Sequence, residues 1–260
     1  MRWLPFVALG VLGLTVSGEA RADRLVGART IARGDYLAPR FAPDGRDLLV
    51  TGPKLRGLFV IAPDGATRQL SDEDGAGVHA RWVGTTIEYR AIRGGARRDL
   101  VVDRAGTVRT RLALAAVAFT HDDRAYARDA TNQLVRVGTG DRFFGATISP
   151  DGDKVAFEGL ATGIHIYTRS TGTFVRVAAG TAPTWSPDSS KLVFEVTEDD
   201  GHMVVASDLF SYDVAQRKLA RLTATESVIE RRPSYAPDGA RIAFDDNTGN
   251  VLVATLEVSP

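Results

Sequence analysis

Cysteine is absent from this chain of 260 residues. That absence excludes disulfides, Cys-ligated zinc, iron–sulfur clusters, thiol catalysis and a lipidated N-terminal cysteine. Methionine is scarce, with 2 residues, and no excess of one charge exists: 32 basic residues balance 32 acidic ones. A balanced chain offers no bulk attraction to nucleic acid or to an anionic membrane. The basic residues lack interleaved aromatics, so nucleic acid is not an expected partner. Beyond the N-terminus no apolar run approaches the length of a membrane span. There is no Gly-x-Ser-x-Gly elbow, Walker loop or His-Glu-x-x-His. The 4 histidines, His79, His121, His165 and His202, show no ligand spacing, and no metal or cofactor is expected. Asp72–Gly75 and Asp245–Asn250 look faintly like calcium loops but lack the full ligand spacing, and they read as turns. What is abundant is glycine, with 26 residues beside 11 prolines, which points to many short strands and turns.

Residues 1–22 read as a secretory signal peptide. Arg2 supplies the positive n-region, Leu4 to Val16 is apolar, and Ala20-Arg21-Ala22 fits a small-x-small cleavage site. The apolar run is short of the roughly 20 residues a spanning helix needs. A mature chain starting at Asp23 carries 30 basic and 31 acidic residues, a net charge of −1. The expectation is a periplasmic or secreted monomer without a membrane span.

A repeat organises residues 23–260. Phe41-Ala-Pro-Asp-Gly45, Ile148-Ser-Pro-Asp-Gly152, Trp185-Ser-Pro-Asp-Ser189 and Tyr235-Ala-Pro-Asp-Gly239 each precede a short apolar strand. Proline fixes the first corner, aspartate accepts hydrogen bonds from nearby backbone amides, and glycine supplies positive φ. Trp82-Val-Gly-Thr-Thr and Phe119-Thr-His-Asp-Asp read as degenerate copies. The anchors Phe41, Trp82, Phe119, Ile148, Trp185 and Tyr235 recur at intervals of 41, 37, 29, 37 and 50 residues. Each unit holds further strand-like runs, and about four strands per unit is the pattern of a propeller blade. The expected fold is all-β, a six-bladed β-propeller of four-stranded blades. Its final unit is one strand short, so Arg24–Ala32 is predicted to complete it and close the ring.

The pattern aromatic-Ser-Pro-Asp-Gly, then a strand, then a Leu-Thr end strand, resembles the propeller repeats of the TolB family. Thr181-Ala-Pro-Thr-Trp-Ser-Pro-Asp-Ser189 and Leu219-Ala-Arg-Leu-Thr223 are the nearest local matches. The resemblance covers about residues 36–260. It implies a periplasmic, non-enzymatic scaffold that engages a protein, in that family an envelope lipoprotein, at one mouth of the ring. The N-terminal α/β domain of that family has no counterpart among residues 23–35.

Topology groups the candidate binding residues. The Pro-Asp-Gly turns join the first and second strands of each blade and mark one face. The opposite face collects the links between blades and the loops between second and third strands. Tyr36, His79, Arg81, Phe144, Thr181, Glu230 and Arg231 fall on the links. Two loops stand out on the same face: Arg90–Arg98 in blade two, with Arg90, Arg93, Arg97 and Arg98, and Thr197–Met203 in blade five, with Glu198, Asp199 and Asp200. Blades two and five are opposite each other in a ring of six, so a mouth with one basic and one acidic side is expected. A field of that kind orients a polar partner. His165, alternating with isoleucines, reads as a packed structural histidine. The competing reading is a propeller hydrolase or lyase with an axial metal.

Overall fold

The computed structural model describes residues 23–77, 80–110 and 117–258. The signal-peptide reading and His79 lie outside the described residues. The first strand, β1 (Arg24–Arg33), does not begin a blade of its own. Blade one is β2 (Leu37–Phe41), β3 (Leu48–Thr51), β4 (Arg56–Ile61) and β5 (Thr67–Asp74). Blade two is β6 (Arg81–Val83), β7 (Thr86–Arg93), β8 (Ala96–Asp103) and β9 (Val108–Thr110). In blade three, β10 (Ala118–His121), β11 (Arg124–Arg128) and β12 (Leu134–Val137) are described. Blade four is β13 (Phe143–Ile148), β14 (Lys154–Gly159), β15 (Gly163–Thr168) and β16 (Thr173–Ala178). Blade five is β17 (Thr181–Trp185), β18 (Lys191–Asp199), β19 (Val204–Asp213) and β20 (Lys218–Arg221). Blade six is β21 (Arg231–Tyr235), β22 (Arg241–Asp245) and β23 (Asn250–Glu257), completed by β1. The chain is thus a six-bladed β-propeller.

The turns form for the reasons the residues suggest. The carboxylates of Asp44, Asp151, Asp188 and Asp238 accept the amide two residues on, at 3.0, 3.0, 3.1 and 2.9 Å. The residue after each aspartate is left-handed, and in Ser189, which replaces glycine, φ is 64°. Its amide donates back to the carbonyl before the proline, at 2.8 to 2.9 Å. One conformation serves all four copies.

Ring closure joins the two ends of the described chain. β1 pairs antiparallel with β23 from Arg24↔Glu257 to Arg33↔Asn250. Asp23 and Lys191 form an ion pair at 2.8 Å, with both side chains largely covered, and the Leu25 amide donates to Leu222 O at 3.0 Å. β1 is thereby tied to blade five as well as blade six. Apolar clusters fill the seams between blades. Leu48 and Val50 meet Val251 and Val253, Leu49 and Leu58 meet Ile87 and Tyr89, and Val193 and Leu209 meet Ile242 and Phe244. Phe143 and Phe157 meet Ala125 and Ala127, and Ile164 and Ile166 meet Leu192 and Phe194. Burying each such large side chain is worth roughly 1.5–3 kcal/mol. Among the described residues no cluster of this kind spans blades two and three.

Blade three corrects the sequence reading of Phe119. Phe119 was expected to anchor a first strand, with His121–Asp123 forming the turn on the Pro-Asp-Gly face. Instead the Phe143 amide donates to Asp123 O at 2.8 Å, which places that turn at the mouth end of β13. Arg169 holds Arg128 O, Asp129 O and Gly152 O together, which places the far end of β11 on the Pro-Asp-Gly face. The described strands therefore run as the second, third and fourth of a blade. The turn is a tight hairpin with both Asp122 and Asp123 left-handed, φ 47° and 58°, a geometry short aspartates tolerate.

Gly163 shows how closely the strands of blade four approach each other. Its φ is 79°, and a Cβ there would sit 2.3 Å from Ala178 O. Gly94, at φ 57°, has open space around it. Gly163→Ala is expected to lower the thermal midpoint clearly more than Gly94→Ala, which carries only the backbone cost of about 1 kcal/mol. Calorimetry of the two variants isolates the steric part, and equal effects would contradict the packing described.

Candidate functional site

One side of the mouth is built by a repeating device that links blade four to five, five to six and six to one. A residue near the start of the inner strand is left-handed in blades one, four, five and six: Ala38 (φ 55°), Ala182 (φ 55°) and Arg232 (φ 50°) stand second and Gly145 (φ 60°) third. Each sits at a bulge in the pairing with the second strand. In blades five, six and one the bulge turns the amide outward, and a carboxylate of the preceding blade receives it. Glu158 Oε2 accepts the Ala182 amide at 3.1 Å, Glu195 Oε2 accepts that of Arg232, and Asp245 Oδ1 accepts that of Ala38 at 2.9 Å. These acids stand on the second strands of blades four, five and six, Glu158 next to last, Glu195 four residues before the end and Asp245 last. Each lies seven residues after its turn aspartate, and Thr51 holds the same place in blade one.

Arginines complete the network. The Arg231 Nη2 donates to Glu195 Oε1 at 2.8 Å, and Thr181 Oγ1 donates to the same oxygen at 3.1 Å. Arg232 grips Asp245 in bidentate fashion, its Nε 3.0 Å from Oδ1 and its Nη2 on Oδ2. Glu195 and Asp245 are fully buried. Half-buried Arg40 donates to Pro39 O at 3.0 Å, in the field of Asp245, Glu195 and Glu158. Burial pushes the Asp245 carboxyl up to about 6, against the pull of Arg232. Burial also raises Glu158, and it lowers Arg40.

The expected mouth residues divide into groups. Thr181 and Arg231 belong to the axial network. Glu230 is buried at the entrance to β21: Thr225 Oγ1 donates to its Oε1 at 2.8 Å, and burial raises its carboxyl. Tyr36 packs its ring on Phe59 at 5.4 Å. Arg81 binds Glu88 at 2.9 Å within blade two. Phe144 is half exposed at the start of β13.

The two charged segments are mostly strand rather than loop. β7 and β8 continue to a turn of Gly94 and Gly95, at φ 57° and 76°, because paired left-handed glycines favour a two-residue hairpin. β18 continues through Asp199, leaving Asp200–Met203 as the turn. Within the blade-two hairpin, Arg90 is paired with Asp99 at 2.9 Å. Arg93 reaches Glu73 of blade one, where Ser71 and Tyr89 also hold that carboxylate and keep it below its ordinary range. Arg97 and Arg98 are exposed and have no ion pair among the described residues. In blade five Glu198 and Asp199 are exposed, while Asp200 caps the amides of His202 and Met203 at 2.9 Å each.

The remaining candidates are structural in their contacts. His165 is buried, stacked on Phe174 at 5.0 Å with its Nδ1 near Gly163 O, and burial lowers its basicity. Asp246, in the second calcium-like segment, accepts from the Thr248 and Asn250 amides at 2.8 and 3.0 Å and caps a turn. In the first segment β5 runs through Asp74, and no turn begins until Gly75.

No protein-family model matches the chain. Among solved structures it is similar to XC5397, a gluconolactonase of Xanthomonas campestris, with a TM-score of 0.60 at 13% identity, covering 90% of this chain and 91% of that one. A chain of the Mitotic Checkpoint Complex gives 0.57 at 14% identity, with 98% of each chain covered. TolB from Acinetobacter baumannii gives 0.42 at 17% identity, covering 86% of this chain, which spans 55% of that one. The first two likenesses bear on the fold alone, and the six blades are given by the strand pairing.

Two outcomes test the axial network. Asp245 holds its proton more tightly folded than unfolded, where a carboxyl titrates near 3.9. Its contribution to stability is therefore full below about pH 4 and lost as the pH rises to about 6. Asp245→Asn is expected to remove that decline, read as the difference in slope between variant and parent in urea unfolding from pH 4 to 7. Glu195→Gln is expected to cost about 3–5 kcal/mol by leaving Arg231 uncompensated, measured by the same titration at pH 7.

Proposed function

We propose that the chain is a non-enzymatic scaffold, exported to the periplasm or beyond, that binds a protein partner through this mouth. One observation carries the reading: two long hairpins of opposite charge rise from blades placed across the ring. β7 continues three residues past Arg90 and β18 four past Glu195, whose equivalent in blade six ends its strand. At about 3.3 Å per residue each hairpin stands roughly 10 Å proud of the mouth. Exposed Ile92 and Met203 give their tips apolar contact surface. The axial carboxylates support the same reading, since backbone amides and arginines occupy them. An envelope component, such as a lipoprotein, is the partner class to try first.

The test is affinity capture from envelope extract. Parent bait is expected to recover a specific protein. Arg97→Ser with Arg98→Ser, or Glu198→Gln with Asp199→Asn, is expected to slow its association about tenfold at low salt, with the difference vanishing at high salt. Recovery of no specific protein together with stoichiometric bound metal would replace this reading with that of an axial-metal hydrolase or lyase.

A further inference from the structure

A pocket of about 320 Å³ opens at the mouth where blades five, six and one meet. Arg231 and Arg232 of β21 line one side, and Lys54 lines another. The two guanidinium groups are held from behind by Glu195 and Asp245 and remain about one quarter exposed. They are thus oriented before any ligand arrives, and the N–H groups not spent on those carboxylates remain as donors. Leu37, Val204 and Ile229 supply an apolar wall.

Two independent features single out this place. Lys54 and Leu55 are consecutive left-handed residues, φ 56° and 60°, in a turn where neither side chain favours that backbone. Among the described residues, Arg231 Nε is the one buried polar atom without a partner on a residue that lines the pocket, while Ser234 and Tyr235 lie toward the other end of β21.

We propose that this pocket binds a single carboxylate carried on a short apolar body. The carboxylate lies on Arg231, Arg232 and Lys54, a fork geometry suited to a planar anion. The hydrocarbon lies on the apolar wall. Asp35 and Asp246 also border the pocket, and among the described residues Asp35 has no ion pair, so a second anionic group is rejected there. Charges of the arginines are balanced by the acids behind them, so recognition depends on directed N–H donors rather than on net charge. The volume suits a ligand at the small end of the usual range. Such a carboxylate is found on a free acid or on the C-terminus of a peptide. The inference stands apart from the scaffold reading, because small-molecule binding needs no partner.

Calorimetric titration with 4-methylpentanoate, leucine, acetyl-Ala-Leu and acetyl-Ala-Leu amide separates the possibilities. Binding by the first two assigns a free acid, and binding by the peptide acid alone assigns a chain end. The amide, and glutarate with its second carboxylate, are expected to bind at least tenfold more weakly. Val204→Trp fills the pocket and Lys54→Met removes a donor, and neither touches the axial network. Each is expected to weaken the best ligand about tenfold or more. The proposal is overturned if no carboxylate binds up to about 10 mM, if the amide binds equally, or if both variants bind as the parent does.

Discussion

The mouth depends on one constraint, the need to satisfy an outward-turned amide at the bulges of the inner strands of blades five, six and one. The bulge is unavoidable, since it lets the inner strand turn from the blade into the mouth. A buried amide without an acceptor costs about as much as a lost hydrogen bond. The carboxylate of the preceding blade supplies the acceptor, so one interaction satisfies the amide and fastens neighbouring blades. The acid is then itself buried and requires a cation, which Arg231 and Arg232 provide. Amide, acid and arginine form a chain of obligations running from blade four to blade one. The pocket beside the mouth inherits oriented donors for this reason.

Much of the fold was legible in the residues. The four Pro-Asp-Gly or Pro-Asp-Ser turns are local structures, with both partners of each hydrogen bond a few positions apart. Closure by Arg24–Ala32 followed from counting strands, and the observed strand runs one residue further. Blade three was misread because Phe119 looks like an anchor, while direction within a blade is set by contacts to Phe143 and Arg169 on blade four. No local pattern reports such contacts.

The axial acids were missed, yet a signal existed. Glu158, Glu195 and Asp245 each follow a phenylalanine and stand at a fixed distance from the turn aspartate. They lie on strands rather than in the loops where binding was expected. The charged segments were legible in composition but not in form. Whether Arg93 faces solvent or Glu73 depends on a neighbouring blade, and that pairing removes it from the free basic surface. Zero net charge thus conceals two kinds of charge, one consumed inside seams and mouth, the other displayed on two hairpins.

The pairing of β1 with β23 has a kinetic consequence. Its partners, Arg24 and Glu257, are 233 positions apart. Every other blade assembles from neighbouring segments, but this one waits until the whole ring is in place. Loop closure over that span adds only a few kcal/mol, since the penalty grows with the logarithm of length. Contacts so distant nonetheless form late and slow the overall reaction. The closing strand is therefore the last piece to dock and the natural place for the ring to open while the other blades stay folded.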